Sequence, residues 1–126
     1  MSDTGSARAP EDPIALGSAL SDELLAISRR AIDGAMYETA YHSLAGALHG
    51  AEAAVDGDRL RVVQDEAARQ QGIVDTDAPE HRLSRPFGRA HRRSGWYDAL
   101  VVQCTAVLSR ERATAALGRS IARREG

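Results

Sequence analysis

The sequence predicts an all-α protein, a small bundle of about four helices that ends in a long C-terminal helix. Hydrophobic residues make up 43% of the 126 residues but aromatic residues only 4%, so Ala and Leu supply most of the apolar share. These residues favour helices over strands. From about residue 20 onwards, apolar residues also recur at spacings of three and four, which is the period of an amphipathic helix. The length is that of one small domain.

The first 19 residues carry no such period. They mix Gly, Ser and Asp with two prolines, a composition typical of a disordered arm, so we expect residues 20–126 to form the folded domain. The first helix is predicted to begin near Leu20, with Ser21 as its N-cap and Leu20 packed on Leu25. Gly34 is placed to end it.

A second helix is predicted from about Ala35 to Val55, because the apolar residues of this segment alternate spacings of four and three. They are Tyr37, Tyr41, Leu44, Leu48, Ala51 and Val55. We call this row of apolar residues the seam of the second helix. Gly46 and Gly50 lie beside it and would allow another backbone to come close. After a turn at residues 56–58, a third helix is predicted with Asp58 as its cap, and a short loop of this kind predicts an antiparallel hairpin. Its expected buried residues are Leu60, Val63, Ala67 and Val74.

Residues 21–55 resemble one tetratricopeptide unit. The resemblance lies in the pattern Y-E-x-A-x-x-x-L-x-x-A-L, formed by Tyr37, Glu38, Ala40, Leu44, Ala47 and Leu48. In that family, such small and large residues interlock the two helices of a hairpin. The resemblance implies a helix-hairpin surface that serves protein–protein interaction.

Charge is segregated along the chain. Residues 1–80 contain fifteen Asp and Glu against six Arg, whereas residues 81–126 contain ten Arg against three acidic residues. The densest basic cluster lies in a connection predicted to be irregular, residues 75–94, and consists of Arg82, Arg85, Arg89, Arg92 and Arg93. These arginines either neutralise the acidic half, within one chain or between two copies, or bind a polyanion such as nucleic acid. The small net charge of −2 favours neutralisation.

The last helix is predicted to begin near Ser94 and to reach Arg124. Its first half carries two apolar stripes, more than one neighbouring helix can cover, so we expect this half to form a homodimer interface. The residues expected there are Trp96, Tyr97, Leu100, Val101, Val107 and Leu108. The second half keeps only Leu117 and Ile121 among its arginines and is expected to project or to cover a partner.

Two histidines are candidate metal ligands. His42 and His49 share one face of the predicted second helix with Glu38 and Glu52. About 10 Å separates the two histidines along a helix that rises 1.5 Å per residue, too far for one ion. We therefore expect a solvated polar face, with no metal and no cofactor.

Two further features of the sequence bear on catalysis. His91 follows Arg85 by six residues, and this spacing resembles the Arg-to-His spacing of the HEPN ribonucleases, which implies RNA cleavage in a helical bundle. The single cysteine, Cys104, lies on an apolar stripe and is expected to be a buried small side chain rather than a nucleophile.

The sequence thus predicts a non-catalytic helical interaction module that forms a homodimer through its C-terminal helix and binds an unidentified protein partner. A nucleic-acid or polyanion binder that uses residues 82–93 is the alternative, and an HEPN-like ribonuclease is the third possibility. No apolar run approaches the roughly 20 residues of a membrane-spanning helix, and the first 20 residues lack the pattern of a signal peptide. We expect a cytoplasmic protein that contacts no membrane.

Overall fold

The computed structural model describes residues 12–125, and every regular element in this range is an α-helix. The helices are α1 (Pro13–Asp33), α2 (Tyr37–Ala53), α3 (Gly57–Asp77), α4 (Arg85–Ala90) and α5 (Trp96–Glu125). The predicted all-α class is confirmed, and so is the long C-terminal helix. Its 30 residues extend about 45 Å at 1.5 Å per residue.

The first two helices form an antiparallel hairpin, and the later helices cover it. α1 packs mainly on α2, α3 packs on α2 and α5, and α5 also contacts α2. The core lies between these helices. Its large, fully buried apolar side chains are Leu44, Leu48, Leu60, Val63, Val74, Leu83 and Tyr97.

α1 begins earlier than predicted. Asp12 is its N-cap and accepts a hydrogen bond from the backbone N–H of Ala15 at 3.4 Å. Pro13 follows at the first helical position, where its missing N–H would have no partner within the helix in any case. The prediction of a disordered arm is therefore wrong for residues 13–19, while residues 1–11 lie outside the described residues.

Ser21 is not the N-cap that the sequence predicted. It lies inside α1, it is buried, and its hydroxyl donates a hydrogen bond of 2.8 Å to the Ala47 carbonyl oxygen of α2. Leu20 also lies inside α1 and not before its N-cap, so it cannot form the predicted staple. The predicted end is right, because Gly34 caps α1 and its N–H donates to the carbonyl oxygen of Arg30.

The predicted seams of α2 and α3 are confirmed with one exception. Their buried members are Ala40, Leu44, Leu48 and Ala51 in α2, and Leu60, Val63, Ala67 and Val74 in α3. Tyr37 and Tyr41 are partly buried against the same core. Val55 is 65% exposed and has a φ of 51°, because it belongs to the turn that follows α2. Asp56 caps α3 in place of Asp58 and accepts from the Arg59 N–H at 3.0 Å.

Two glycines bring the backbones of α1 and α2 together. A Cβ atom on Gly50 would lie 2.7 Å from the carbonyl oxygen of Gly17, and a Cβ on Gly17 would lie 2.7 Å from the carbonyl oxygen of Gly50. The close backbone approach predicted at Gly50 is confirmed. Gly46 instead faces the side chain of Leu24, whose Cδ1 would lie 2.9 Å from an added Cβ.

The connection between α3 and α5 is more regular than predicted. Residues 75–77 still belong to α3, and the short helix α4 occupies Arg85–Ala90. The Ser84 hydroxyl caps α4 by accepting from the Phe87 N–H at 3.0 Å. Leu83 is 1% exposed and anchors this segment in the core.

A buried polar network joins four helices. The Gln70 Nε2 of α3 donates to the Ser28 hydroxyl of α1 at 2.8 Å and to Glu66 Oε2 at 2.9 Å. The Gln70 Oε1 accepts from the Tyr97 hydroxyl of α5 at 2.7 Å. Ser28 in turn donates to the Ala40 carbonyl oxygen of α2 at 2.6 Å. Because a polar group left unpaired in a core is costly, this network fixes how the four helices fit together.

Glu66 is the charged member of this network, with an exposed fraction of only 4%. Burial acts to raise its pKa, but hydrogen bonds from Arg69, Gln70 and Arg29 outweigh that effect and lower the pKa. Arg69 Nη2 lies 2.7 Å from Glu66 Oε2, and Arg29 Nε lies 3.3 Å from Glu66 Oε1. The ionised carboxylate therefore stabilises the fold.

Candidate interaction site

The apolar stripes in the first half of α5 lie inside the chain's own core. Tyr97, Leu100, Val107 and Leu108 are at most 6% exposed, and Trp96 and Val101 are partly buried against the core. Two helices, α3 and α2, cover these stripes. Because these four side chains are already packed within one chain, they present no exposed surface to a second copy. The structure therefore gives no support to an interface at these four positions. Cys104 is buried as predicted, and burial raises its pKa to about 11.

The second half of α5 has few contacts in the described part of the chain. Leu117 is 63% exposed and Ile121 is 46% exposed. Val107, Thr114 and Ile121 are spaced by seven residues, so the apolar side that packs on the bundle continues along the exposed half. The arginines at 112, 119 and 123 fall on the opposite side of the helix at 100° per residue. The end of α5 is thus an amphipathic helix with an uncovered apolar face.

α5 leaves the bundle beside the turn between α2 and α3. Arg110 Nη2 lies 3.1 Å from Glu52 Oε2 in the last turn of α2. The Cβ position of Gly57, at the start of α3, lies 3.6 Å from the Leu108 side chain. Beyond these contacts, residues 113–125 extend about 18 Å at 1.5 Å per residue. We call residues 113–125 the projecting end.

A second uncovered apolar surface is a groove between α1 and α2, with a volume of about 400 Å³. Its lining residues include Pro13, Leu16, Leu20 and Leu24 on α1, and Gly46, Gly50 and Ala53 on α2. Leu16 is 38% exposed and Leu20 is 43% exposed. Ile27, which is 45% exposed, continues the same side of α1. We call this surface the α1–α2 groove.

The sequence interpretation missed this groove because it placed Leu16 in a disordered arm. A signal was nevertheless present, since Leu16, Leu20, Leu24 and Ile27 are spaced by four, four and three residues.

The five arginines of the predicted polyanion site separate into two groups. Arg82 Nε donates to Glu38 Oε2 at 2.7 Å, and its guanidinium lies 4.8 Å from the centroid of the Trp96 ring. Arg85 Nη2 pairs with Asp98 Oδ1 at 2.7 Å, and this hydrogen bond lowers the pKa of Asp98. Arg82 and Arg85 therefore neutralise carboxylates of the same chain. Among residues 12–125, no carboxylate lies within 4.0 Å of the remaining three, which are Arg89, Arg92 and Arg93.

The two candidate metal ligands do not converge. His42 and His49 are both exposed, and His49 Nδ1 lies 3.9 Å from Glu52 Oε1. His42 packs edge-on against Tyr41 at a centroid distance of 5.4 Å. Within residues 12–125, no group of three or more His, Cys, Asp or Glu side chains is arranged to hold a metal ion.

Arg85 and His91 make separate contacts. The His91 ring stacks on Phe87 at a centroid distance of 3.9 Å, and its Nδ1 lies 3.0 Å from the Phe87 carbonyl oxygen. Arg85 is held by Asp98 and by Asp75, whose Oδ2 lies 3.9 Å from Arg85 Nη1. In the described range, the two side chains share no hydrogen bond or ion pair.

Comparisons with known protein families, with curated proteins and with solved structures find no match to this chain. No helix within residues 12–125 combines the length and apolar character that crossing a membrane requires. The fold defines an all-α bundle. Within residues 12–125, the projecting end and the α1–α2 groove are the uncovered apolar surfaces that we take as the candidate functional site.

Proposed function

We propose that the protein is a non-catalytic helical interaction module that self-associates through the projecting end of α5. The observation that supports this proposal is the apolar face formed by Leu117 and Ile121 outside the bundle. Burial of apolar surface is favourable by roughly 25 cal/mol per Å². A helix with one apolar face and one basic face is typical of a segment that lays its apolar side on a partner.

This surface differs from the dimer surface that the sequence predicted. The prediction located the contact in residues 96–121, with interface residues between Trp96 and Leu108 that pack on the core. The proposal places the contact in residues 113–125 instead. The resemblance of residues 21–55 to a tetratricopeptide unit supports the same functional class, because that family uses helix hairpins to contact other proteins.

Light scattering coupled to size-exclusion chromatography tests the proposal on the full chain. At micromolar concentration, we expect a mass near twice 13.5 kDa. Leu117→Asp should shift the protein to the monomer mass, because the contact would bury an unpaired carboxylate. Val102→Asp is the matched control, since Val102 is 68% exposed on the bundled half of the same helix. If both variants change the mass equally, the effect is general and the proposal is wrong.

Binding of a polyanion is the second candidate function. It is supported by Arg89, Arg92 and Arg93, which are exposed and have no carboxylate within 4.0 Å among residues 12–125. The adjacent stacked pair of Phe87 and His91 offers aromatic surface near these charges. Arginines that contact phosphates and aromatic rings that stack on bases are the two components of single-stranded nucleic-acid binding. Ribonuclease activity has less support, because Arg85 is held by Asp98.

A further inference from the structure

The α1–α2 groove opens at the end of the bundle from which α5 projects. The N-terminal part of α1 lies against the last turns of α2, because the Cβ position of Gly17 is 2.7 Å from the Gly50 carbonyl oxygen and 3.2 Å from the Ala54 nitrogen. Arg110 of α5 pairs with Glu52 in the same region of α2. The open end of the groove and the start of the projecting end therefore adjoin the same turn.

The groove and the projecting end also match in length. Leu16 and Ile27 are eleven residues apart, and so are Thr114 and Glu125. At 1.5 Å per residue, each stretch is about 17 Å long. A helix the size of the projecting end can therefore lie along the whole α1 side of the groove.

Their charges are complementary. Residues 12–27, which form the α1 side of the groove, contain three carboxylates and no basic residue. Asp22 pairs with Arg59 of α3 at 2.8 Å, which leaves Asp12 and Glu23 as the carboxylates of this side.

Residues 113–125 contain three arginines and one glutamate, which gives them a net positive charge. Arg119 and Arg123 lie opposite the apolar face, whereas Arg124 follows Leu117 by seven residues and lies on the same side as Leu117. Opposite charge on the two surfaces favours their encounter and disfavours contact between two projecting ends.

We infer that the projecting end of one copy lies in the α1–α2 groove of a second copy. The projecting end of the second copy lies in the groove of the first copy in the same way. This inference rests on the proposed self-association and names its partner surface. Leu117 and Ile121 would be covered by Leu16, Leu20 and Leu24 of the other copy. Two copies placed end to end in opposite directions bring each projecting end to the open end of the other's groove. A two-fold axis then closes the assembly at two chains, so no filament grows.

Matched substitutions on the two surfaces test this arrangement by sedimentation of the full chain. Leu20→Asp changes the groove, Leu117→Asp changes the projecting end, and Val62→Asp is the control because Val62 is 41% exposed on α3. We expect each of the first two to raise the dimer dissociation constant by roughly tenfold or more, and the control to leave it unchanged. Circular dichroism checks that each variant is folded. Leu16→Asp replaces Leu20→Asp if the latter does not fold.

Mixing the variants separates this arrangement from other dimers. In an equal mixture, the Leu117→Asp chain supplies an intact groove and the Leu20→Asp chain supplies an intact projecting end. We therefore expect the mixture to associate more tightly than either variant alone. If Leu20→Asp dimerises like the unmodified chain while Leu117→Asp does not, the projecting end binds elsewhere. That result overturns the inference and leaves the proposed function standing. An unmodified chain that stays monomeric overturns both.

Disulfide trapping gives an independent readout. A chain with Leu20→Cys mixed with a chain with Leu117→Cys should form a disulfide-linked heterodimer under oxidising conditions. Cys104 is buried, so it does not compete for this reaction. Trapping of Leu117→Cys only with itself would show contact between two projecting ends and would contradict the inference.

Discussion

Replacing Gly50 by alanine should destabilise the α1–α2 hairpin, although alanine is the better helix former. The added methyl group would lie 2.7 Å from the Gly17 carbonyl oxygen and 3.0 Å from the Ser21 nitrogen. Both are backbone atoms that cannot rotate away, so α1 must move. Overpacking of this kind costs about 1–3 kcal/mol, and the helix propensity of alanine returns up to about 1 kcal/mol. We expect the free energy of unfolding to fall by about 1–2 kcal/mol.

Gly72→Ala is the matched control for this prediction. Gly72 lies inside α3, and nothing comes within 4 Å of its Cβ position. This variant should gain about 0.5–1 kcal/mol, because only the propensity effect remains. Urea denaturation at one fixed protein concentration measures both changes. A Gly50→Ala protein as stable as the unmodified chain, or a loss of stability in Gly72→Ala, would refute the close-packing argument.

The remaining predictions concern the core, the buried carboxylate and the basic cluster. Leu44 is fully buried and His42 is exposed. Leu44→Ala should therefore lower the free energy of unfolding by about 2–5 kcal/mol, and His42→Ala should lower it little. Equal losses of the two variants in urea denaturation would show that the buried face is misassigned. The pKa of Glu66 is lowered in the folded chain, so its contribution to stability is present above its ordinary pKa of 4.5 and is lost as the pH falls through the lower, folded value. Glu66→Gln should therefore lose less stability than the unmodified chain on acidification from pH 5, as followed by thermal unfolding, and an identical acid dependence would contradict the assignment. Single-stranded RNA should not bind at physiological salt. A complex that weakens as salt rises would instead favour the polyanion function. In that case Arg89→Ala and Arg92→Ala should each lower, by about one, the slope of the logarithm of the binding constant against the logarithm of the salt concentration.

The helices could be predicted from the sequence because their periodicity is a local property. The three-and-four spacing of Leu60, Val63, Ala67 and Val74 reports a buried face in any all-α arrangement. The start of α1 was missed because Pro13 lies within a segment whose composition is typical of disorder, although proline is also favoured in the first turn of a helix. Local composition does not distinguish the two cases.

The sequence could not show which apolar stripes of α5 stay exposed, because periodicity shows stripes but not the helices that cover them. Leu100 and Leu108 lie on different stripes of α5, and their burial depends on where α2 and α3 pack. The polar network was missed for a related reason. Gln70 lies at a position of α3 whose spacing predicts burial. Whether its amide finds a hydrogen-bond partner depends on Ser28 of α1, which precedes Gln70 by 42 residues in the chain.

Sedimentation equilibrium of the unmodified chain tests the central claim of self-association most directly. The measurement gives the average mass as a function of protein concentration. The account predicts a reversible rise from 13.5 kDa towards twice that mass and no further, because reciprocal exchange of the projecting ends closes at two chains. A mass that stays at 13.5 kDa throughout the micromolar range would contradict it.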